Sequence, residues 1–283
     1  MSPINTLFEK EKVGMVTTEC LPAEVNGLNF LDSRIKTTVH EFIKEYLGDP
    51  LIAGALLTGS YATGIRVSKY SDIDIGFVLK DSVHTRKRGN KRLNGYLVEY
   101  TADPFRYIHQ LFNENRVAGI RHIARKYATG IILFDRGGVA EMQEEANDTL
   151  YQPIINLADD PQWVEMAKYY LFDQLLNIQA LHEEGSGGFQ FTYFAHIQKI
   201  LDTYGKLTGT EVLRPERIHQ LLTDQTFCAK YGVEQFSDRH FMEMTAACME
   251  RIDLGKLVAL NSYVLEKMGG FCTDGWLFES HCS

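Results

Sequence analysis

The apolar residues of this chain follow two different periods, and the change between them falls near residue 153. Before that point, short apolar runs have the length and alternation of β-strands; they lie at 52–57, 73–79, 95–101 and 131–134. Beyond it, long stretches have helical spacing, at 163–181, 189–207 and 236–268. We therefore predict an α/β (α+β) chain, with a small mixed β-sheet domain at 1–152 followed by an all-helical bundle domain at 153–283.

The composition is that of a globular protein and narrows the choice of partners. Hydrophobic residues make up 45% of the 283 residues and charged residues 23%, so a substantial core can form. The formal net charge of −8 provides no global basic field for nucleic acid or an anionic membrane. A signal-peptide pattern and a long apolar run are also lacking. We expect a cytoplasmic protein with no membrane partner, with nucleic acid disfavoured and a homodimer left open.

The cysteines do not have the spacing of a zinc site or of a redox pair. There are five, widely scattered: Cys20, Cys228, Cys248, Cys272 and Cys282. We interpret them as free thiols. A metal site built from Cys272, His281 and Cys282 is disfavoured, because the spacing is irregular and a fourth ligand is missing.

Two aspartates, Asp72 and Asp74, lie one residue apart at the second predicted strand. Because side chains alternate along a strand, both carboxylates fall on one face, while Ile73 and Ile75 point into the core. Glu99 lies on the third predicted strand and reaches the same place if that strand pairs with the second. Three acids this close would raise one another's pKa unless a cation offset their charge, and Mg²⁺ prefers oxygen ligands. The pattern predicts a magnesium site formed by Asp72, Asp74 and Glu99.

The segment after the first predicted strand has the residues of a phosphate-binding loop. Gly59 and Ser60 end that strand, and Gly64 follows four residues after Ser60. Glycine lets the backbone approach a phosphate closely, and the Ser60 hydroxyl and neighbouring N–H groups can donate hydrogen bonds to β- and γ-phosphate oxygens. We expect Gly59, Ser60 and Gly64 to bind the triphosphate of a nucleotide. A Gly-Ser pair or an Asp-x-Asp alone is a weak signal, whereas the two combined with a third acid on the next strand are specific.

This combination resembles the polymerase-β-like nucleotidyltransferase superfamily. Segments 58–64 and 70–74 look like the aminoglycoside nucleotidyltransferases, particularly the kanamycin type, and 133–138 resembles a Tyr-Asp-x-Gly-Gly element of those enzymes. The resemblance covers roughly residues 50–140. It implies a nucleotidyltransferase domain followed by a helical bundle that helps to form the acceptor pocket. It also implies that Asp72 and Asp74 bind Mg²⁺, with Glu99 as the third acid, and that Ser60 binds the triphosphate.

The resemblance further implies transfer of a nucleoside monophosphate, with ATP as the expected donor, onto an acceptor hydroxyl. In some antibiotic-modifying members, a carboxylate on the first helix of the C-terminal domain is the general base. Asp173 lies on that predicted helix, but an equally good alignment places Asn177 at the position. Both assignments stay open.

The acceptor is not fixed by these residues. A small molecule of the aminoglycoside type is the nearest analogy, and an acidic pocket would suit such a polycation. The alternatives are a nucleotidyltransferase that modifies a protein or an RNA end, and a non-catalytic nucleotide-binding regulator. The low net basicity disfavours RNA, and the presence of Asp72, Asp74 and Ser60 disfavours the regulator.

Two basic segments each have two interpretations. The first is a predicted polar turn between strands that carries Arg86, Lys87, Arg88, Lys91 and Arg92. We favour a solvated turn over a role in neutralising a triphosphate. The second is a predicted helix at 117–127 with Arg121, Arg125 and Lys126, which fits an exposed basic face and a phosphate contact equally well.

Overall fold

The computed structural model describes Leu28 and residues 31–65 and 67–279. Cys20, His281 and Cys282 lie outside these residues. The sheet region contains α1 (Ser33–Lys44), β1 (Ile52–Thr58), α2 (Gly59–Thr63), β2 (Ile73–Leu79), β3 (Lys87–Leu93), β4 (Tyr96–Pro104), α3 (Phe105–Val117), α4 (His122–Ala128), β5 (Ile131–Asp135) and α5 (Val139–Tyr151). The helical region contains α6 (Pro161–Glu183), α7 (Phe189–Thr208), α8 (Pro215–Thr223), α9 (Gln225–Tyr231), α10 (Arg239–Glu250) and α11 (Leu254–Lys267).

The five strands form one mixed sheet in the order β3-β4-β2-β1-β5. β1 pairs antiparallel with β2 and β5, and β3 pairs antiparallel with β4. β2 and β4 are parallel, and Asp74 lies opposite Glu99. The predicted fold class, a small mixed sheet followed by a helical bundle, is confirmed. The predicted boundary between residues 152 and 153 stays a prediction.

The basic segment after β2 is a strand, and its prediction as a turn was wrong. β3 runs from Lys87 to Leu93 along the edge of the sheet. The turn lies one step later, at Asn94 and Gly95, which have φ values of 52° and 86°. An Asn-Gly pair with two positive φ angles is typical of a two-residue hairpin whose twist matches that of its strands. β3 consists mostly of charged and polar residues, because an edge strand can expose long charged side chains to water.

Each face of the sheet is covered by helices. Ile73, Ile75 and Phe77 of β2 join a core with Val39 and Phe42 of α1. On the opposite face, another core combines residues from two strands with residues from α3, α4 and α5: Leu56, Val78, Ile108, Phe112, Ala124, Tyr127, Val139, Met142, Ala146 and Leu150. Because side chains alternate along β2, Ile73, Ile75 and Phe77 point into the core with α1. Asp74 points to the opposite face, the one covered by α3, α4 and α5, and remains partly exposed there.

The helical region has its own core, which also takes in Ile65 from the segment after β1. The stretch predicted as one helix at 236–268 is two helices, α10 and α11. They are separated at Asp253, which is extended and whose carboxylate accepts a hydrogen bond from the Lys256 N–H. The predicted helix at 117–127 begins only at His122, because α3 continues to Val117.

Cys228, Cys248 and Cys272 are free thiols, as predicted, and the other two cysteines lie outside the described residues. None of the helices in the described ranges combines the length and apolar character needed to cross a membrane.

Gly54, in the middle of β1, allows α5 and β5 to pack closely against that strand. A Cβ atom there would lie 2.5 Å from Val139 Cγ2 and 2.6 Å from the Phe134 carbonyl oxygen. We predict that Gly54→Ala lowers the free energy of unfolding by about 1 to 3 kcal/mol, because backbone cannot move aside cheaply. Urea denaturation measures this. Gly48→Ala is the control, since nothing lies within 4 Å of a Cβ there. Equal stability of the two variants would contradict the packing described.

Candidate active site

The three predicted metal ligands lie at the open end of the sheet. Thr58 of β1 pairs with Asp74 of β2, which in turn pairs with Glu99 of β4, so three neighbouring strands present one row of residues. Asp72 immediately precedes β2 and is half-buried, like Asp74 and Glu99. The condition on which the sequence prediction for Glu99 depended, pairing of its strand beside that of Asp74, is met.

The loop after β1 is shaped around Asp74. Gly59 has a φ of +70°, and a Cβ on it would lie 2.0 Å from Asp74 Oδ2. Only glycine fits this position, because its conformation and its closeness to the carboxylate both exclude a side chain. Ser60 follows in the single turn of α2, which ends at Gly64 with a φ of +68° and a hydrogen bond from the Gly64 N–H to the Ser60 carbonyl. Gly59, Ser60 and Gly64 are thus part of one short turn beside Asp74.

Asp74 lies in a field of opposing charges. Burial raises the pKa of its carboxyl to about 6, and the negative charges of Asp72 and Glu99 add to the rise, while Lys126 and Arg88 oppose it. The negative charges that raise this pKa would also stabilise a cation bound beside Asp74.

Two acids of β4 are matched by arginines of the preceding segment. Arg88 of β3 forms an ion pair with Glu99. Arg86 donates from Nε to Asp103 at 2.6 Å and stacks its guanidinium over the Tyr107 ring. Both arginines are exposed, as expected for a solvated segment, and both also form ion pairs with acids of β4, because residues two apart along the edge of the sheet point to the same face.

The basic residues of α4 face inward. The Lys126 ammonium donates to Thr101 Oγ1 at 2.8 Å, and burial lowers its pKa, against the effect of Asp103 and Asp74. Arg125 is 3% exposed and forms an ion pair with Glu211 of the helical region. An exposed basic face is therefore excluded for these two residues.

A cavity of about 350 Å³ joins these groups. Its lining includes Gly59, Asp74 and Glu99 from the sheet and Arg125 and Lys126 from α4. The helical region contributes Arg214, Arg217 and Tyr231. The volume is within the range of small-molecule sites. The cavity is built by both regions of the chain, and its charged groups come from strands and from helices.

Not every predicted site residue reaches this cavity. Asp72, Ser60 and Gly64 lie next to its lining residues in sequence but are not in the lining, and Asp173 is also outside it. Asp173 is half-buried on α6, and its carbonyl oxygen accepts from Asn177 Nδ2 at 3.0 Å. The structure therefore does not bring Asp173 together with Asp74 and Glu99 in the cavity.

The carboxylate oxygens of this site are ligands that suit Mg²⁺, but the three side chains do not point to one common position. Within the described ranges, no three carboxylate, imidazole or thiol groups come close enough together to hold a metal ion. Glu99 is held by Arg88 instead. Asp72, Asp74 and Glu99 would hold a metal ion after rotation of these exposed or half-buried side chains.

Sequence reasoning did not identify Arg88, Lys126, Arg214 and Arg217 as a set. Arg88 and Lys126 were noted only as members of basic segments, because whether they point inward depends on strand register and helix orientation. Arg214 and Arg217 lie at the start of α8, and the sequence around them carries no pattern that indicates a site. The Asn94-Gly95 pair was the one local signal that would have placed β3 correctly.

No protein-family model matches this chain, and no curated protein matches it in sequence. Among solved structures, it is similar to a nucleotidyltransferase-like protein from Exiguobacterium sibiricum. The two are 13% identical, with a TM-score of 0.36, over 83% of this chain and 77% of the other. This degree of similarity is too low to assign an activity.

The raised pKa of Asp74 predicts that this residue costs stability when no metal is bound. The unfolded carboxyl titrates near 3.8 and the folded one near 6, so the folded state holds the proton more tightly. The contribution of Asp74 to stability therefore improves as the pH falls through 6 towards 3.8. In EDTA at neutral pH, we expect Asp74→Asn to be more stable than the wild type by roughly 1 to 3 kcal/mol, with the difference vanishing near pH 4.

Urea denaturation at several pH values measures this difference. Asp159→Asn serves as the control, because it removes a negative charge from an exposed position. A destabilised Asp74→Asn protein at neutral pH would contradict the electrostatic description of the site.

Proposed function

We propose that this chain is a magnesium-dependent nucleotidyltransferase that moves a nucleoside monophosphate, AMP from ATP, onto an acceptor hydroxyl. One observation carries the proposal: the register of β1, β2 and β4 sets Asp74 beside Glu99 and against the loop at Gly59. Nucleotidyl transfer needs carboxylates next to a tight glycine turn, in a cavity that is also lined by arginine and lysine side chains.

Asp72, Asp74 and Glu99 would hold the metal. Their oxygens are the ligands that Mg²⁺ prefers, and the raised pKa of Asp74 reflects a concentration of negative charge that a cation would relieve. When bound, Mg²⁺ supplies positive charge that offsets the triphosphate and the charge that develops during transfer. Arg88, which pairs with Glu99, would be the cation nearest to the third ligand and could contribute its charge to a phosphate oxygen.

Gly59 and Ser60 would position the triphosphate, with Gly64 closing the turn. The bare Gly59 backbone gives a phosphate access beside Asp74, and Ser60 adds a hydroxyl donor. Lys126 lies across the same face of the sheet and would contribute an ammonium group to the phosphates.

In the reaction, the acceptor oxygen forms a bond to the α-phosphorus while the bond from that phosphorus to the α,β-bridging oxygen breaks. The acceptor hydroxyl gives up its proton, and pyrophosphate leaves with the bridging oxygen and its electron pair. Two carboxylates are candidates to receive the proton. Asp173 is the one implied by the family resemblance, and Glu99 is the one that lines the cavity.

The acceptor that the resemblance suggests is a small molecule of the aminoglycoside type. Transfer to a protein or an RNA end, and nucleotide binding without transfer, are the alternative functions. The cavity volume of about 350 Å³ favours a small acceptor. The helical region, however, lines the cavity with arginines rather than with acids, which disfavours a polycation at that position.

Transfer is tested with α-labelled ATP, Mg²⁺ and a panel of small hydroxyl compounds, by following label transfer and pyrophosphate release. We expect Asp74→Asn to lower the rate roughly a hundredfold or more, because it removes a ligand charge while keeping the shape of the side chain. In the same assay, Asp173→Asn tests one candidate base: a comparable loss supports Asp173, and a wild-type rate excludes it and leaves Glu99 as the candidate that lines the cavity. Wild-type transfer by Asp74→Asn would overturn the proposed function.

The glycine turn provides a second, independent test. Gly59→Ala and Gly64→Ala place a side chain on residues with nearly the same positive φ, but only the Cβ at 59 collides with Asp74. We predict that Gly59→Ala weakens binding of Mg²⁺ and α,β-methylene-ATP about tenfold or more, whereas Gly64→Ala, which bears the backbone strain alone, does so much less. Calorimetric titration measures both. Equal affinities would mean that the turn beside Asp74 does not hold the triphosphate.

A further inference from the structure

Three arginines line the cavity beside the helical region, and two of them lie against one tyrosine ring. Arg125 of α4, Arg214 immediately before α8 and Arg217 of α8 all line the cavity with Tyr231 of α9. The guanidinium carbons of Arg125 and Arg217 lie 4.7 and 4.5 Å from the centre of the Tyr231 ring. Tyr231 in turn stacks on Phe227, with ring centres 5.1 Å apart. We call Arg125, Arg214 and Arg217 the arginine cluster.

The aromatic ring accounts for the positions of two of these side chains. A guanidinium over a tyrosine face is attracted by the ring electrons and keeps its planar donor edge free. Tyr231 therefore holds Arg125 and Arg217 next to one another despite their like charges. Such an arrangement orients donors without consuming them.

The charges of the cavity balance at its carboxylates and at Arg125, which is paired with Glu211, but not at Arg214 and Arg217. Glu99 is paired with Arg88 and Asp103 with Arg86, and Lys126 lies within the field of Asp74. By contrast, no carboxylate of the described ranges lies within ion-pair distance of Arg214 or Arg217. The positive charge of Arg214 is strong enough nearby to lower the pKa of His122, after the effect of burial. The cavity thus has an excess of positive charge at the helical region.

Arg125 adds a donor that the protein leaves unused. Its side chain is 4% exposed, and two of its nitrogens bond to Glu211, including Nη1 to Oε1 at 3.1 Å. Its Nε has no hydrogen-bond partner among the described residues. A buried N–H without an acceptor is unfavourable, so such groups in a cavity wall are commonly completed by a ligand or a bound water.

We propose that the arginine cluster binds an anionic group, a phosphate or a carboxylate, on the acceptor. This inference rests on the proposed function and specifies its acceptor: a small hydroxyl compound that also carries a negative charge. Guanidinium groups match both anions with paired hydrogen bonds, which Arg214 and Arg217 can offer, while Arg125 is fixed by Glu211 and adds its unpaired Nε. An aminoglycoside-like polycation would be repelled by the same groups.

The donor nucleotide has a separate set of groups. Its triphosphate is assigned to the turn at Gly59 and to Arg88 and Lys126, which lie in the field of Asp74. Arg214 and Arg217 belong to the helical region and are not among the main charges that shift the pKa of Asp74. Binding of donor and binding of the acceptor anion are therefore expected to be separable by mutation.

The experiment uses the full chain saturated with Mg²⁺ and α,β-methylene-ATP, titrated with inorganic phosphate and, separately, with succinate. We expect at least one of these anions to bind, and the double variant Arg214→Gln/Arg217→Gln to weaken that binding roughly tenfold or more while leaving the affinity for the nucleotide analogue unchanged. The anion that binds with the higher affinity identifies the acceptor's charged group as a phosphate or a carboxylate. Arg239→Gln/Arg251→Gln is the matched control, since both residues are exposed on the helical region and lie outside the cavity.

The other outcomes separate failure of the inference from failure of the proposed function. If neither anion binds the wild-type complex, or if both double variants bind the anion equally well, the arginine cluster is not an acceptor site. If the Arg214→Gln/Arg217→Gln variant loses affinity for the nucleotide analogue instead, the cluster holds the donor. If the analogue does not bind even the wild type, the proposed function fails. Anion binding to the nucleotide-free chain, lost in the same variant, then still supports an anion site at these arginines.

Discussion

The candidate site depends above all on the parallel register between β2 and β4. That register sets Asp74 opposite Glu99, and it exists because the Asn94-Gly95 turn folds β3 back along the outer edge of β4. Parallel neighbours cannot be joined by a tight hairpin, so the chain uses β3 as the connection and gains an edge strand. The same strand then presents Arg88 to Glu99 and Arg86 to Asp103. A shift of β4 by one residue would turn Glu99 into the opposite core and leave Asp74 without a neighbouring acid.

The second constraint is the buried ion pair between Arg125 and Glu211, which joins the sheet region to the helical region. Both side chains are almost fully enclosed, at 4% and 5% exposure, and Glu211 also accepts from the Arg121 N–H at 3.0 Å. Removing one partner of such a pair leaves an uncompensated buried charge, so the two regions are held in one arrangement around the cavity. The cavity wall formed by α8 and α9 is positioned through this contact. The mixed lining, carboxylates on strands and arginines on helices, follows from it.

Much of the fold and part of the site could be predicted from local sequence patterns. β1, β2 and β5 are short apolar runs bounded by glycine or polar residues, and the closeness of Asp72 to Asp74 follows from strand geometry alone. β3 could not be recognised by hydrophobicity, because an edge strand of charged residues has no apolar face to reveal it. The inward direction of Lys126 depends on how α4 packs against the sheet. The ion pair between Arg125 and Glu211 joins residues that are 86 positions apart in sequence. Asp173 was chosen by alignment to a helix, and the helix is present, but a position on a helix does not determine which cavity its side chain reaches.

The proposed function requires that Asp72, Asp74 and Glu99 form a metal and nucleotide site next to the Gly59 turn. A crystal structure of the chain with Mg²⁺ and α,β-methylene-ATP examines this site itself. We expect metal density bounded by these three carboxylates, with Glu99 released from Arg88 and the triphosphate against Gly59 and Ser60. A nucleotide bound elsewhere, or one bound in this cavity with the Arg88 to Glu99 ion pair intact and no metal at Asp74, would contradict the proposed function.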